Sequence, residues 1–388
     1  MPNAHGLFCV YMYRAFFLPL QEIPARLPNM KKGILFCLLT GVLFGADAGQ
    51  VQQVSGLPQH SPVAPLKDSD VNTAAVPRNI IYMIGDGMSA DHIAAAWICN
   101  RGKLNMDHLP YTGISRTFSA NKLVTDSAAG GTALACGAKT NNGMLGKTPN
   151  GEMLYSLAAD FAAPGMDKEV GLVVTKAITD ATPAAFYAHT SSRKNTAKIA
   201  NQLTEAAIKV VVGGGAANFS EQQLQQLESV PGAHVLLAAP GDCPYAAERG
   251  NMLPEQTRKA LQVLETSPNG FFLMIEGSEI DIASHKCDLE NMVREVLDFD
   301  KALCGVLEWM QTHPDTLLVV TADHQTGGLA IRDGDIAKGT LKASFATTDH
   351  SGIYVPVFAA GCGAHHFHGI MDNTDIPRKI RQIFQLKK

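Results

Sequence analysis

Apolar residues along this chain gather into short, near-continuous runs, each closed by glycine or polar residues. They are NIIYMIG (79–85), EVGLVVT (169–175), IKVVVGGG (208–215), GFFLMIEG (270–277), TLLVVTADH (316–324) and IYVPVFAAG (353–361). Runs of Val, Ile and Leu without polar alternation suit strands buried on both faces, as in a mostly parallel sheet. Between the runs the period lengthens. Residues 289–310 (LENMVREVLDFDKALCGVLEWM) and 152–163 carry apolar positions at helical spacing. Strands alternating with helices predict an α/β fold: a mostly parallel central sheet with helices on both faces, forming one domain over 77–388.

The segment ahead of that domain lacks either period. Residues 49–76 mix Gln, Ser, Pro and Asp and predict a flexible leader. From Met30 the chain reads MKKGILFCLLTGVLFGADAGQ, two lysines, an apolar run and an A-x-A pattern at Ala46-Asp47-Ala48. This predicts a signal peptide over 30–48. Residues 1–29 then read as upstream sequence from a misassigned start, with Met30 as the true one. The apolar run falls short of the ~20 residues a spanning helix needs, so no membrane span is expected in the mature chain. The expected location is periplasmic or secreted, an oxidising compartment. Cys99, Cys136, Cys243, Cys287, Cys304 and Cys362 follow the cleavage site, and their spacing selects no pairing. Cys136, amid small residues, reads as a buried thiol.

Composition narrows the classes without choosing among them. At 388 residues, 46% hydrophobic and 18% charged, the chain is an ordinary globular protein. A formal net charge of -4 with no basic stripe offers no nucleic-acid surface.

The chemistry lies in where the polar residues fall. In open parallel sheets, ligands bind beyond the carboxyl ends of the strands. Asp86 follows the first run, and Asp180 and Thr182 follow the second. Glu276 closes the fourth, with Asp281 and His285 just after it. Asp323 and His324 close the fifth, and His350 precedes the sixth. Taken singly, each has an ordinary explanation as a turn residue, a cap or a helical pair. Together these carboxylates would repel unless cations sat among them. Mixed Asp and His donors suit zinc, and the all-oxygen set Asp86, Thr182 and Glu276 suits magnesium. The pattern points to a multi-metal hydrolase. The stretch VTDSAAGGTALAC (124–136) sets Ser127 beside Asp126 and ahead of small residues. It fits a capped helix packed on the sheet, or a nucleophile at a helix N-terminus that favours anions.

These residues carry a resemblance. From about Pro77 onward the chain resembles the alkaline phosphatase family through NIIYMIGDGM, VTDSAAGGTALACGAKTNNG, DATPAAFYAHTSSRK, IEGSEIDIASH, TADHQTGG and DHSG…VPVFAAG, in family order. The resemblance implies an exported phosphomonoesterase acting on small-molecule phosphate monoesters. It further implies two zinc ions and one magnesium per chain, and a homodimer. Ser127 would be the nucleophile that becomes phosphoserine, and Arg193 would clamp phosphate oxygens. One zinc would be held by Asp281, His285 and His350, the other by Asp86, Asp323 and His324. Magnesium would be held by Asp86, Thr182 and Glu276, with Asp180 reaching it through water.

The chain also departs from the pattern. Ile282 follows Asp281 where relatives carry Lys, His or Trp, and an alkyl side chain donates no hydrogen bond. That bears on phosphate affinity and pH optimum. Asp180 stands where relatives carry Asp or His, and here favours magnesium over zinc. The intervals 193–276 and 324–350 are short for the family, which thins the cap over the site and the usual dimer contacts. The tract GAHHFHG, with His365, His366 and His368, reads as a solvated loop. Two rival readings are a two-metal phosphodiesterase or sulfatase and a silent phosphate- or metal-binding homologue. The Ser127 context lacks the C/S-x-P-x-R pattern of a sulfatase.

Overall fold

The computed structural model describes residues 49–67 and 76–386. The expected signal peptide (30–48), the residues before it and part of the expected leader (68–75) lie outside the described residues. Fourteen strands follow in chain order among the described residues. The first five are β1 (Gln52–Val54), β2 (Asn79–Gly85), β3 (Tyr111–Arg116), β4 (Glu169–Ala177) and β5 (Val210–Gly214). Next come β6 (His234–Leu237), β7 (Phe271–Gly277), β8 (Thr316–Thr321), β9 (Gln325–Thr326) and β10 (Leu329–Asp335). The last are β11 (Thr340–Phe345), β12 (His350–Ser351), β13 (Val355–Gly361) and β14 (Gly369–Asp372).

Nine of these form one sheet in the order β14-β3-β13-β8-β2-β7-β4-β5-β6. Only β13 runs against its neighbours, β3 and β8; every other pairing is parallel. The near-continuous apolar runs are explained by burial on both faces. Ile81 and Met83 of β2 join a core with the Leu289–Met310 and Met252–Leu264 helices. Ile80, Tyr82 and Ile84 join a second core with the Ser127–Cys136, Leu157–Ala162 and Asp375–Ile383 helices. The expected α/β architecture is therefore present. Among the described residues no helix is long and apolar enough to cross a membrane.

Three local expectations need correction. The leader is not structureless: β1 pairs antiparallel with β11, and Val54 and Leu57 are buried. The expected helix over 152–163 forms only at Leu157–Ala162, because Ser156 caps it by accepting from the Ala159 amide. The fifth run ends as a strand at Thr321, which leaves Asp323 and His324 on the turn beyond.

A buried carboxylate helps to hold the leader down. Asp300, on the Leu289–Met310 helix, accepts from His60 Nε2 at 2.7 Å and from the Asn105 amide at 2.9 Å. It also accepts from Asn105 Nδ2 at 2.8 Å and from the Met106 amide at 3.1 Å. Truncating it would strand all four donors. Asp300→Ala is expected to cost about 3–5 kcal/mol in denaturant unfolding and to loosen exchange protection around residue 60. A loss below about 1 kcal/mol would refute this role.

Among the described residues Cys99, Cys136, Cys243, Cys287 and Cys304 are free thiols, and of these only Cys304 is not fully buried. His365, His366 and His368 are exposed around the short turn Ala364–His366, as expected of a solvated loop.

Candidate active site

The site forms where strands end beside a helix N-terminus. Asp86 follows β2 and is fully buried; Asp323 and His324 follow β8 and are equally buried. Because β2 and β8 are parallel neighbours, their carboxyl ends bring these three side chains together. His324 Nε2 lies 3.4 Å from Asp86 Oδ1 and 3.2 Å from Asp323 Oδ2. Ser127 Oγ lies 3.2 Å from the same nitrogen.

Ser127 opens the Ser127–Cys136 helix, whose N-cap is Asp126; Asp126 Oδ1 accepts from the Ala129 amide at 3.0 Å. The small residues behind Ser127 are needed for close approach. A Cβ on Gly130 would stand 3.1 Å from the Asp323 carbonyl oxygen, and one on Gly131 would stand 3.1 Å from Thr182 Cα. The helix is capped, and its first residue sets the Ser127 hydroxyl beside His324.

A second cluster lies alongside. Asp281 and His285 are one turn apart on the Glu279–His285 helix, and His350 comes from β12. Asp281 Oδ1 is 3.3 Å from His285 Nε2 and 3.5 Å from His350 Nε2. His285 Nδ1 donates to the Thr348 carbonyl at 2.6 Å, and His350 Nδ1 donates to the Thr125 carbonyl at 2.9 Å. In the neutral rings both Nε2 atoms then carry lone pairs, yet they face each other at 3.0 Å. A cation among them, proton or metal, removes that repulsion. Backbone carbonyls on Nδ1 are also how metal-ligating histidines are commonly oriented.

The third set stands around Glu276, the penultimate residue of β7, with Thr182 on the short Ala181–Ala184 helix. Both Glu276 carboxylate oxygens and Thr182 Oγ1 are buried without a hydrogen-bond partner. Asp86 Oδ1 and Oδ2 and Asp323 Oδ2 are in the same condition. Six buried oxygens without partners, gathered at one end of one sheet, fit a site built for cations. Asp180 differs, for its carboxylate is engaged. Lys176 Nζ lies 3.0 Å from Oδ2, and Arg193 Nη2 donates to Oδ1 at 3.2 Å. Arg193 Nη1 also lies 3.6 Å from Asp126 Oδ2, so acids on two sides hold the guanidinium at the mouth of the site.

The electrostatics agree with that fit. Burial, then Asp323 and Asp281, pushes the Asp86 carboxyl well above the usual range. Burial, then Asp180, does the same to Glu276. Asp323 is pushed up to about 6 by burial and by Asp281. Burial and the neighbouring His350 hold the His324 imidazole well below its ordinary value, so it stays neutral and free to ligate. Crowded carboxylates of this kind are relieved by divalent cations.

The structure thus gathers Asp86, Ser127, Asp281, His285, Asp323, His324 and His350 into two adjoining clusters. It sets Asp180, Thr182, Glu276 and Arg193 beside them. Ile282 is half-buried on the Glu279–His285 helix. Residues that sequence reasoning missed are Lys176, Thr326 and Asp349. Thr326 Oγ1 donates to Asp281 Oδ1 and lies 3.3 Å from His324 Nδ1. Asp349 offers a carboxylate beside His285 and His350. Lys176 left one usable signal, a lysine at the carboxyl end of an otherwise apolar run.

Comparison with known proteins matches this arrangement to one family. A family profile described as alkaline phosphatase matches residues 77–233 and 221–344. Alkaline phosphatase 4 of Bacillus subtilis is 30% identical over 93% of this chain and 98% of its own length. The alkaline phosphatase of the Antarctic bacterium TAB5 superposes with a TM-score of 0.75 at 31% identity, covering 80% of this chain and 99% of that one. A point mutant of that enzyme, solved with magnesium bound in its M3 site, superposes with a TM-score of 0.74 at 31% identity, over 80% and 99% of the two chains. With this fold, these clusters and this extent of likeness, the chain belongs to the alkaline phosphatase family and is a metal-dependent phosphomonoesterase.

Proposed function

We propose that the protein is an exported phosphatase that hydrolyses phosphate monoesters through a phosphoserine at Ser127, with two zinc ions and one magnesium. The observation that carries this reading is Ser127 Oγ, 3.2 Å from His324 Nε2, beside unpartnered oxygens of Asp86 and Asp323. Asp86, Asp323 and His324 would hold one zinc, and Asp281, His285 and His350 the other. Asp86, Thr182 and Glu276 would hold magnesium, with Asp180 reaching it through water. When bound, the metals make the serine hydroxyl acidic and neutralise charge on the attacking and leaving oxygens.

The chain's own residues do the rest. Asp126 fixes the start of the helix and, through Arg193, the position of the guanidinium. That planar fork pairs with two oxygens of a phosphoryl group, which is mainly positioning and charge neutralisation. Ser127 Oγ forms a bond to phosphorus as the ester P–O bond breaks and the alcohol leaves with a proton. Water then attacks phosphorus, the Oγ–P bond breaks, and Ser127 recovers its proton as phosphate departs. The basic, apolar segment over 30–48 supports export.

A chromogenic monoester and its matched diester, each with zinc and magnesium supplied, test this reading. The monoester is expected to be preferred. Arg193→Ala is expected to lower monoester kcat/KM by roughly 10²–10³-fold, the loss of a close charge pair. It is expected to affect the diester much less. A diester preference would make the protein the rival two-metal enzyme. No turnover of either by metal-loaded protein would make it a silent binder.

A further inference from the structure

Lys176 is a lysine with 7% of its surface exposed, near the end of a strand that is buried from Val170 through Lys176 itself. β4 lies beside β7 in parallel register, with Val174 opposite Glu276, so Lys176 stands two residues further along toward the carboxyl end. Its ammonium lies 3.0 Å from Asp180 Oδ2. Burial alone would favour losing the proton, but Asp180 and Asp86 outweigh it and keep the amine charged. The same charge reaches Glu276 and Asp281. Arg193 Nη2 donates to Asp180 Oδ1 at 3.2 Å and to Oδ2 at 3.4 Å, so two cationic side chains share one carboxylate.

We infer that Lys176 is a positioning residue that sets a second cation on Asp180 beside the third cation site, so that magnesium there is weakly held and exchanges freely. The inference rests on the assignment of that site to Asp86, Thr182 and Glu276. Magnesium dehydrates reluctantly and is usually held by few protein carboxylates, so the charge just outside its ligands weighs heavily. Arg193 alone already neutralises Asp180, so the second cation, a fixed ammonium beside Glu276, leaves a net positive charge that repels the incoming ion. The same ammonium steadies the crowded carboxylates when magnesium is absent. Removing it should therefore have opposite effects on magnesium affinity and on stability without magnesium, and a merely structural lysine would not produce that pairing.

The test is calorimetric titration of magnesium chloride into zinc-loaded protein, for wild type, Lys176→Ser and Lys176→Arg, with thermal midpoints taken at zero magnesium. Lys176→Ser is expected to bind magnesium at least about tenfold more tightly while its magnesium-free midpoint falls. Lys176→Arg keeps the charge and is expected to match wild type. Lys176→Met, which keeps the apolar stem, replaces the serine variant if that one does not fold. Equal or weaker magnesium binding in the uncharged variants overturns the inference while leaving the site itself intact. Magnesium binding by none of the proteins, with two zincs and Ser127-dependent turnover retained, would remove the third-site assignment and this inference with it.

Discussion

Ser127→Ala is expected to abolish steady-state hydrolysis of phosphate monoesters, by at least about 10³-fold in kcat, while leaving the fold and the zinc content unchanged. Ser127 is 2% exposed, and its hydroxyl faces His324 at the helix start. Alanine fits there without a clash and leaves the Asp126 cap untouched. Stability should therefore shift by less than about 1 kcal/mol. The loss is large because the nucleophile, and with it the two-step path, disappears; a water molecule must then attack in one step without the positioning that the chain gives the serine. Substrate affinity should survive better than turnover, since Arg193 and the helix amides remain. A fall of less than tenfold would place the nucleophile elsewhere.

The second large effect is expected from removing the metals. Exhaustive chelation should eliminate activity and lower the melting midpoint by on the order of 5–10 °C. A single ion held ~1,000-fold above its dissociation constant already contributes about 4 kcal/mol, so this shift is the minimum expected from the loss of one site. The reason lies in the clusters themselves. Asp86, Asp323 and Glu276 are buried with oxygens that no protein donor satisfies, and His285 and His350 turn their ring nitrogens toward each other. Without cations the chain must protonate these groups or relax around them. Zinc and magnesium together should restore both activity and midpoint, whereas magnesium alone should not, because the mixed Asp and His sets favour zinc. Unchanged activity and midpoint in protein verified to be metal-free would contradict the account.

Much of this was legible in the chain because burial on both faces leaves a strong mark. β2 is apolar from Ile80 to Ile84 since Ile81 and Met83 enter one core while Ile80, Tyr82 and Ile84 enter the other. The site residues stood out because parallel strands place their carboxyl ends together, so separated sequence positions could be read as one locale. What was not legible depends on partners far along the chain. β1 has only Val54 as a buried side chain, and its order comes from β11 and from Asp300 holding His60. β10 is exposed along most of its length and shows no apolar run. The antiparallel direction of β13 leaves no trace in its composition, which resembles that of the parallel strands. Lys176 was passed over because a single lysine at a strand end usually reaches solvent. Only the neighbouring Asp180 and Arg193 show that this one does not.

The central claim is that Ser127 carries the phosphoryl group, and trapping that group tests it most directly. Metal-loaded protein would be mixed with excess phosphate monoester, quenched in acid within the first turnovers, digested and mapped by mass spectrometry. The expected result is one phosphoryl group on the peptide containing Ser127, absent from Ser127→Ala and absent when the metals are withheld. An active enzyme that turns over substrate with no phosphopeptide there, or with the group on another residue, would contradict the account.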